Sequence, residues 1–184
     1  MIWTIGHGNR SIGEFVELLK DAAIECLVDV RAYPASRRHP QFGREALEKS
    51  LADAGVRYLW EGTALGGRRK PSRDSPHVAL RNGSFRAYAD HMMKDELREG
   101  LDRLIQLGRS ERAAIMCAER LPWQCHRYLL ADSLGARGLR VFHLMSPGKR
   151  LEHTLSPLAR NDGERLVYDA GEQLGLKPQQ RRDK

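Results

Sequence analysis

Two short segments concentrate the side chains able to do chemistry. One is Cys117-Ala118-Glu119-Arg120-Leu121-Pro122-Trp123-Gln124-Cys125-His126-Arg127, and the other is Asp29-Val30-Arg31. In the first, Pro122 closes a strand-to-loop passage, and Cys125, His126 and Arg127 are expected on the first turn of the next helix. A helix N-terminus presents unpaired amides and a partial positive charge. That field lowers a thiol's pKa and attracts phosphate or carboxylate, so this turn suits an activated thiolate or a bound anion. Arg127 would add a bidentate anion clamp. The pattern calls for no cofactor. Zinc held by Cys117, Cys125, His126 and His7 is the alternative, although the spacing is not a C-x-x-C pair. A cysteine nucleophile is a further reading, without the glycine run that would cradle a phosphate in a thiol phosphatase. Cys117 taken alone, and Cys26 more so, also suit a small hydrophobe of the core.

In the second segment, strand alternation points Asp29 away from both Val28 and Val30. Arg31, two residues on, shares its face and is a natural partner for a carboxylate that would be costly to bury alone. Asp29 is therefore either a buried strut or a general base. A third feature is the cationic run Gly66-Gly67-Arg68-Arg69-Lys70-Pro71-Ser72-Arg73. Arg68 and Arg69 would fold over a phosphate backbone, with Arg31, Ser36, Arg37, Arg38 and Arg44 extending the surface. Tyr33, Phe42, Trp60 and Trp123 stand near these cations and are candidates to stack a base, although aromatics more often fill a core.

The elements that must position these groups follow from periodicity. An apolar run at residues 2–5 ends at Gly6-His7-Gly8 and reads as a strand. Ser11 and Glu14 form a capping box, followed by Phe15, Leu18, Leu19 and Ala22 at helical spacing. Residues 26–31 are a second strand, turning charged at its end. A helix carries Leu47, Leu51 and Ala54, and a weaker strand spans 56–60. Residues 62–84 read as one long loop. Ser84 is expected to cap a helical stretch broken near Lys94-Asp95, and residues 113–117 form a continuous apolar strand of the kind buried on both faces. A helix over 124–136 and a strand over 140–144 complete the core at about residue 146. Residues 147–184 read as a polar extension with a weak strand at 166–168 and a frayed basic end. Strands alternating with helices predict an α/β fold in one domain, with a mostly parallel central sheet, flanking helices and a Rossmann-like three-layer arrangement. In such sheets ligands bind beyond the carboxyl ends of the strands. That rule gathers His7, Asp29, Arg31, Cys117, Glu119 and, from the last strand, His143.

The 184 residues carry a net charge of +7 and a hydrophobic fraction of 41%, enough for a core and biased toward anionic partners. No apolar run is long enough to span a bilayer, and the N-terminus does not read as a secretory signal. Three cysteines without a framework spacing argue against a disulfide scaffold and for the cytoplasm.

The ordered set Thr4-Ile5-Gly6-His7, Asp29-Val30-Arg31, Pro34, Ser36-Arg37, Phe42, Leu65-Gly66-Gly67, Met116-Cys117-Ala118-Glu119 and Cys125-His126-Arg127 resembles the family known as domain of unknown function 488, over about residues 2–145. The resemblance implies a compact α/β fold and a shared polar site, and it implies no reaction. The family pattern usually places serine after the first histidine, where this chain has Gly8. The residues themselves point to an enzyme, a hydrolase or lyase, acting on a nucleic acid or a phosphorylated nucleotide-like molecule. In that reading Asp29 or Glu119 activates water, His7 and His126 carry protons, and Arg31, Arg37 and Arg127 hold phosphate. A thiol or zinc enzyme centred on Cys117 and Cys125, and a non-catalytic module that binds anions, are the alternatives.

Overall fold

The computed structural model describes residues 1–35, 37–70, 72–163 and 165–170. Its elements in chain order are β1 (Ile2–Gly6), α1 (Ile12–Asp21), β2 (Cys26–Asp29), α2 (Arg44–Asp53), β3 (Arg57–Trp60), α3 (Gly62–Leu65), α4 (Gly83–Met92), α5 (Asp95–Ser110), β4 (Ala113–Cys117), α6 (Arg127–Ala136), β5 (Val141–Ser146), β6 (Lys149–Glu152), β7 (Ala159–Asp162) and β8 (Arg165–Tyr168). Six strands form the central sheet in the order β3-β2-β4-β1-β5-β6, all parallel except β6. The fold is the mostly parallel three-layer, Rossmann-like α/β arrangement expected.

Alternation along the strands divides the core into two layers. Cys26, Val28, Ala113, Ile115 and Cys117 join Leu97, Leu101, Leu129 and Leu134 of α5 and α6. Leu27, Ala114, Met116, Trp3 and Ile5 join Phe15, Leu19, Leu47 and Leu51 of α1 and α2 on the other face. The capping box forms as read: the Glu14 amide donates to the Ser11 hydroxyl at 3.2 Å, and the Ser11 amide donates to the Glu14 carboxylate at 2.7 Å. Topology makes the crevice. The chain runs from β1 through α1 to β2, and β4 later inserts between those two strands. The strand ends of β1, β4 and β2 therefore lie side by side at one rim, the position where a parallel sheet binds ligands.

Several expectations need correction. Asn82, not Ser84, caps α4, its side chain accepting from the Ser84 and Phe85 amides. The stretch 62–84 is not one uninterrupted loop, since it opens with α3 and buries Leu65, His77 and Leu80. Pro122 opens a 3-10 turn over Pro122–Gln124, so α6 starts only at Arg127 and His126 becomes its N-cap. After residue 146 the described residues continue in β6, which pairs with β5, and in the antiparallel pair β7–β8. It is tied to the core through Asp132, which accepts from His153 Nε2 at 2.9 Å, the Ser156 amide at 2.9 Å and the Tyr168 hydroxyl at 3.0 Å. The expected frayed end lies outside the described residues. No described helix is long and apolar enough to cross a membrane.

Candidate functional site

The rim is built by backbone bonds that continue the sheet past its strands. The His7 amide donates to the Cys117 carbonyl at 3.1 Å, the Gly8 amide to the Ala118 carbonyl at 2.8 Å, and the Val30 amide to the Met116 carbonyl at 3.0 Å. Gly6 permits this closeness, because a Cβ there would stand 1.8 Å from the Glu119 carbonyl oxygen. Beyond the rim opens a cleft of about 950 Å3, lined by His7, Arg31, Tyr33, Arg38, Arg68, Arg69, Lys70, Cys117, Glu119, Cys125 and His126 among others. A second cavity, of about 440 Å3, lies between α5 and the β7–β8 hairpin and has neither cysteine nor histidine among its described lining residues.

Cys117, Cys125 and His126 meet on the floor of the cleft. His126 Nδ1 lies 3.8 Å from Cys117 Sγ and 3.5 Å from Cys125 Sγ. Its Nε2 lies 3.2 Å from the Val30 carbonyl, which can only accept, so Nε2 carries a hydrogen and Nδ1 is the atom that faces the sulfurs. The ring is further fixed by the edge of Tyr88 at 4.8 Å between centroids, while the Tyr88 hydroxyl donates to the Leu65 carbonyl at 2.9 Å. Gly67 packs against the ring as well, and a Cβ there would stand 2.4 Å from His126 Nδ1. A hydrogen bond from Cys125, with His126 and the Arg127 guanidinium adding to it, holds the Cys117 thiol well below the ordinary range. Burial pushes the Cys125 thiol well above it. Cys117 is therefore the thiolate of the pair and Cys125 the thiol that donates to it. Cys26, buried in β2, has its thiol pushed up by burial to about 11.

His7 occupies the rim from the opposite layer. It stacks on Phe42 at 4.3 Å between centroids, and its Nδ1 lies 2.9 Å from the Gly8 carbonyl. Nδ1 is thus the donor, and Nε2 is a buried acceptor with no partner among the described residues. Burial lowers its pKa to about 4, with the nearby Arg31 charge acting in the same direction. His7 is a neutral imidazole at physiological pH.

Asp29 does not join this site. It belongs to the α1/α2 layer, while Cys117 faces the α5/α6 layer, because the two positions differ in strand phase. Its carboxylate accepts from Arg31 Nε at 2.9 Å, Arg31 Nη2 at 2.6 Å, the Arg31 amide at 3.0 Å and the Tyr58 hydroxyl at 2.8 Å. With no exposure and every lone-pair direction occupied, it is a strut that aims Arg31, and the expectation of a base at this position is withdrawn. Tyr58 carried no sequence signal for this role.

The predicted anion contacts divide as well. Arg31 lines the cleft while Nη2 also donates to the Phe42 carbonyl at 2.9 Å. Arg69 lines it too, but its Nε and Nη2 donate to the carbonyls of Gly66 at 2.9 Å and Thr63 at 2.5 Å, folding its loop. Arg68 lies over the Tyr33 ring at 5.6 Å. Arg37 is exposed and is not among the described lining residues. Ser36 lies outside the described residues. Arg127 is not a cleft clamp: it is 1% exposed and its Nη2 donates to the Glu119 and Arg120 carbonyls at 2.7 and 2.9 Å. Its Nε and Nη1 have no partner among the described residues. Glu119 is exposed on the cleft wall. His143 lies elsewhere, its Nδ1 accepting from the Thr4 hydroxyl at 2.7 Å and its Nε2 3.0 Å from His153 Nδ1. Of the aromatics, Phe42 is core, whereas Tyr33 and Trp123 are exposed.

A family model described as "Domain of unknown function DUF488" matches residues 11–134, which include α1, the Asp29–Arg31 pair and the whole sulfur cluster. No curated protein and no solved structure matches the chain.

Proposed function

The chain belongs to the DUF488 family, and from that premise we propose that it is an enzyme acting on a nucleic acid or a phosphorylated nucleotide-like substrate, with Cys117, Cys125 and His126 as its reacting centre. One observation carries the reading: a polarised thiol pair and an oriented imidazole sit on the floor of a cleft whose walls hold Arg31, Arg38, Arg68, Arg69 and Lys70. Cations lining a concave site concentrate polyanions, and Tyr33 at the rim, 69% exposed, offers a face on which a base can stack. Cys117 supplies the sulfur, Cys125 and Arg127 stabilise its charge, and His126 accepts or returns a proton through Nδ1. His7 presents a second acceptor across the cleft.

Binding of labelled single- and double-stranded DNA and RNA, measured against salt, tests the substrate class. The expected log–log slope is about −0.7 to −0.9 for each phosphate contacted, and a response without slope would overturn it. Cys117→Ser should keep that binding and lose turnover. A second reading has Glu119 as the base with the sulfurs only supporting the rim, because it is the one described carboxylate among the lining residues. Glu119→Gln losing turnover while Cys117→Ser retains it would select this one.

A further inference from the structure

Sγ of Cys117, Sγ of Cys125 and Nδ1 of His126 all lie within 4.8 Å of one another. We propose that these three atoms bind a zinc ion whose fourth position opens into the cleft. The inference deepens the sulfur-centred reading above, and shares with it only the location.

Zinc bonds of about 2.3 Å to sulfur and about 2.0 Å to nitrogen, set at tetrahedral angles, place sulfur and nitrogen about 3.5 Å apart. The sulfur–nitrogen separations are 3.5 and 3.8 Å. An ordinary hydrogen-bonded contact needs only one such approach, whereas here both sulfurs converge on the same ring nitrogen. A metal-bound histidine donates its other ring N–H to a carbonyl or carboxylate that fixes tautomer and ring plane, and Nε2 of His126 has the Val30 carbonyl at 3.2 Å. Two thiolates neutralise a divalent ion, and their protons leave to solvent as the metal binds. An anionic fourth ligand, whether hydroxide or a substrate oxyanion, then shares the cleft with the cations Arg31, Arg38, Arg68 and Lys70. All three ligand residues line the cleft, so an ion there has three protein ligands and one side toward the substrate space, the arrangement of catalytic rather than structural zinc.

The test uses the full chain. Protein stripped with a chelator is titrated with Zn2+ alone, and with Co2+ to read the charge-transfer and ligand-field bands of tetrahedral sulfur coordination. Stoichiometric zinc and those bands are expected. Cys125→Ser and His126→Asn should each weaken zinc binding by about 100-fold, at least as much as losing an outer-shell partner, while Cys26→Ser leaves it unchanged. Should the ligand variants fail to fold, the wild-type chain still decides the matter: Zn2+ must sharply slow alkylation of Cys117. Zinc binding that is equal in Cys125→Ser and Cys26→Ser would overturn the site. So would Cys117 alkylation indifferent to zinc, and with salt-dependent polyanion binding intact this result would leave the sulfur-centred enzyme standing. Zinc bound as expected by a chain without that polyanion binding would support the metal and sink the substrate class.

Discussion

The Asp29–Arg31 pair and the Cys117–Cys125–His126 cluster stand on neighbouring strands at the same rim, yet they are chemically opposite. Around Asp29 each polar group has its partner: Arg31, the Arg31 amide and the Tyr58 hydroxyl close the carboxylate completely. Around the cluster, valences are left over. His126 turns Nδ1 to two sulfurs, and among the described residues His7 Nε2 and two nitrogens of Arg127 have no partner. Buried polar groups are ordinarily satisfied because desolvation without a partner is costly. The first region therefore maintains the structure, and the second retains capacity that a substrate or an ion can use.

The largest effect that would break this comparison is on stability. Asp29→Ala leaves Arg31 buried without its counter-ion and should cost about 3–5 kcal/mol, read from urea unfolding; Cys117→Ser should stay within about 2 kcal/mol. Comparable losses in the two variants would erase the distinction. Gly67→Ala comes next. A methyl 2.4 Å from the His126 ring must displace either loop or ring, an overpacking cost of about 1–3 kcal/mol, and turnover should fall further than stability alone explains. A smaller effect depends on pH. With the pKa of His7 at about 4 in the fold and about 6.5 when unfolded, the unfolded state takes up a proton that the folded state refuses between those values. Acidification through that window therefore removes stability, and His7→Gln should lose less of it than wild type on the same titration. The smallest effect is expected for Arg68→Ala. It should change stability by less than about 0.5 kcal/mol and reduce the salt slope of nucleic-acid binding by about 1; an unchanged slope would remove Arg68 from the anion surface.

Much of the scaffold was legible because burial on two faces leaves a plain trace. The apolar runs at 2–5 and 113–117 are strands, and the capping box at Ser11 opens a helix where it should. The late elements were harder to read. In β6 all four residues are exposed, so no alternation marks it, and its strand character comes from pairing with β5. Leu166, Val167 and Tyr168 looked like a weak strand in a polar tail, yet the Tyr168 ring is fully buried and its hydroxyl reaches Asp132, a contact between distant segments that no local pattern encodes.

For the site, residue types and strand ends alone determined that His7, Arg31, Cys117 and Glu119 would share a rim, since a parallel sheet delivers all its carboxyl ends to one edge. Which of the gathered groups remained available was decided by tertiary structure. Strand phase sent Asp29 to one layer and Cys117 to the other, Tyr58 arrived from β3 to close the carboxylate, and the Val30 carbonyl and Gly67 set the ring of His126 against the two sulfurs. Availability depends on the partners a group meets across the fold, and partners such as Tyr58, Val30 and Gly67 lie tens of residues away in the chain from the groups they fix.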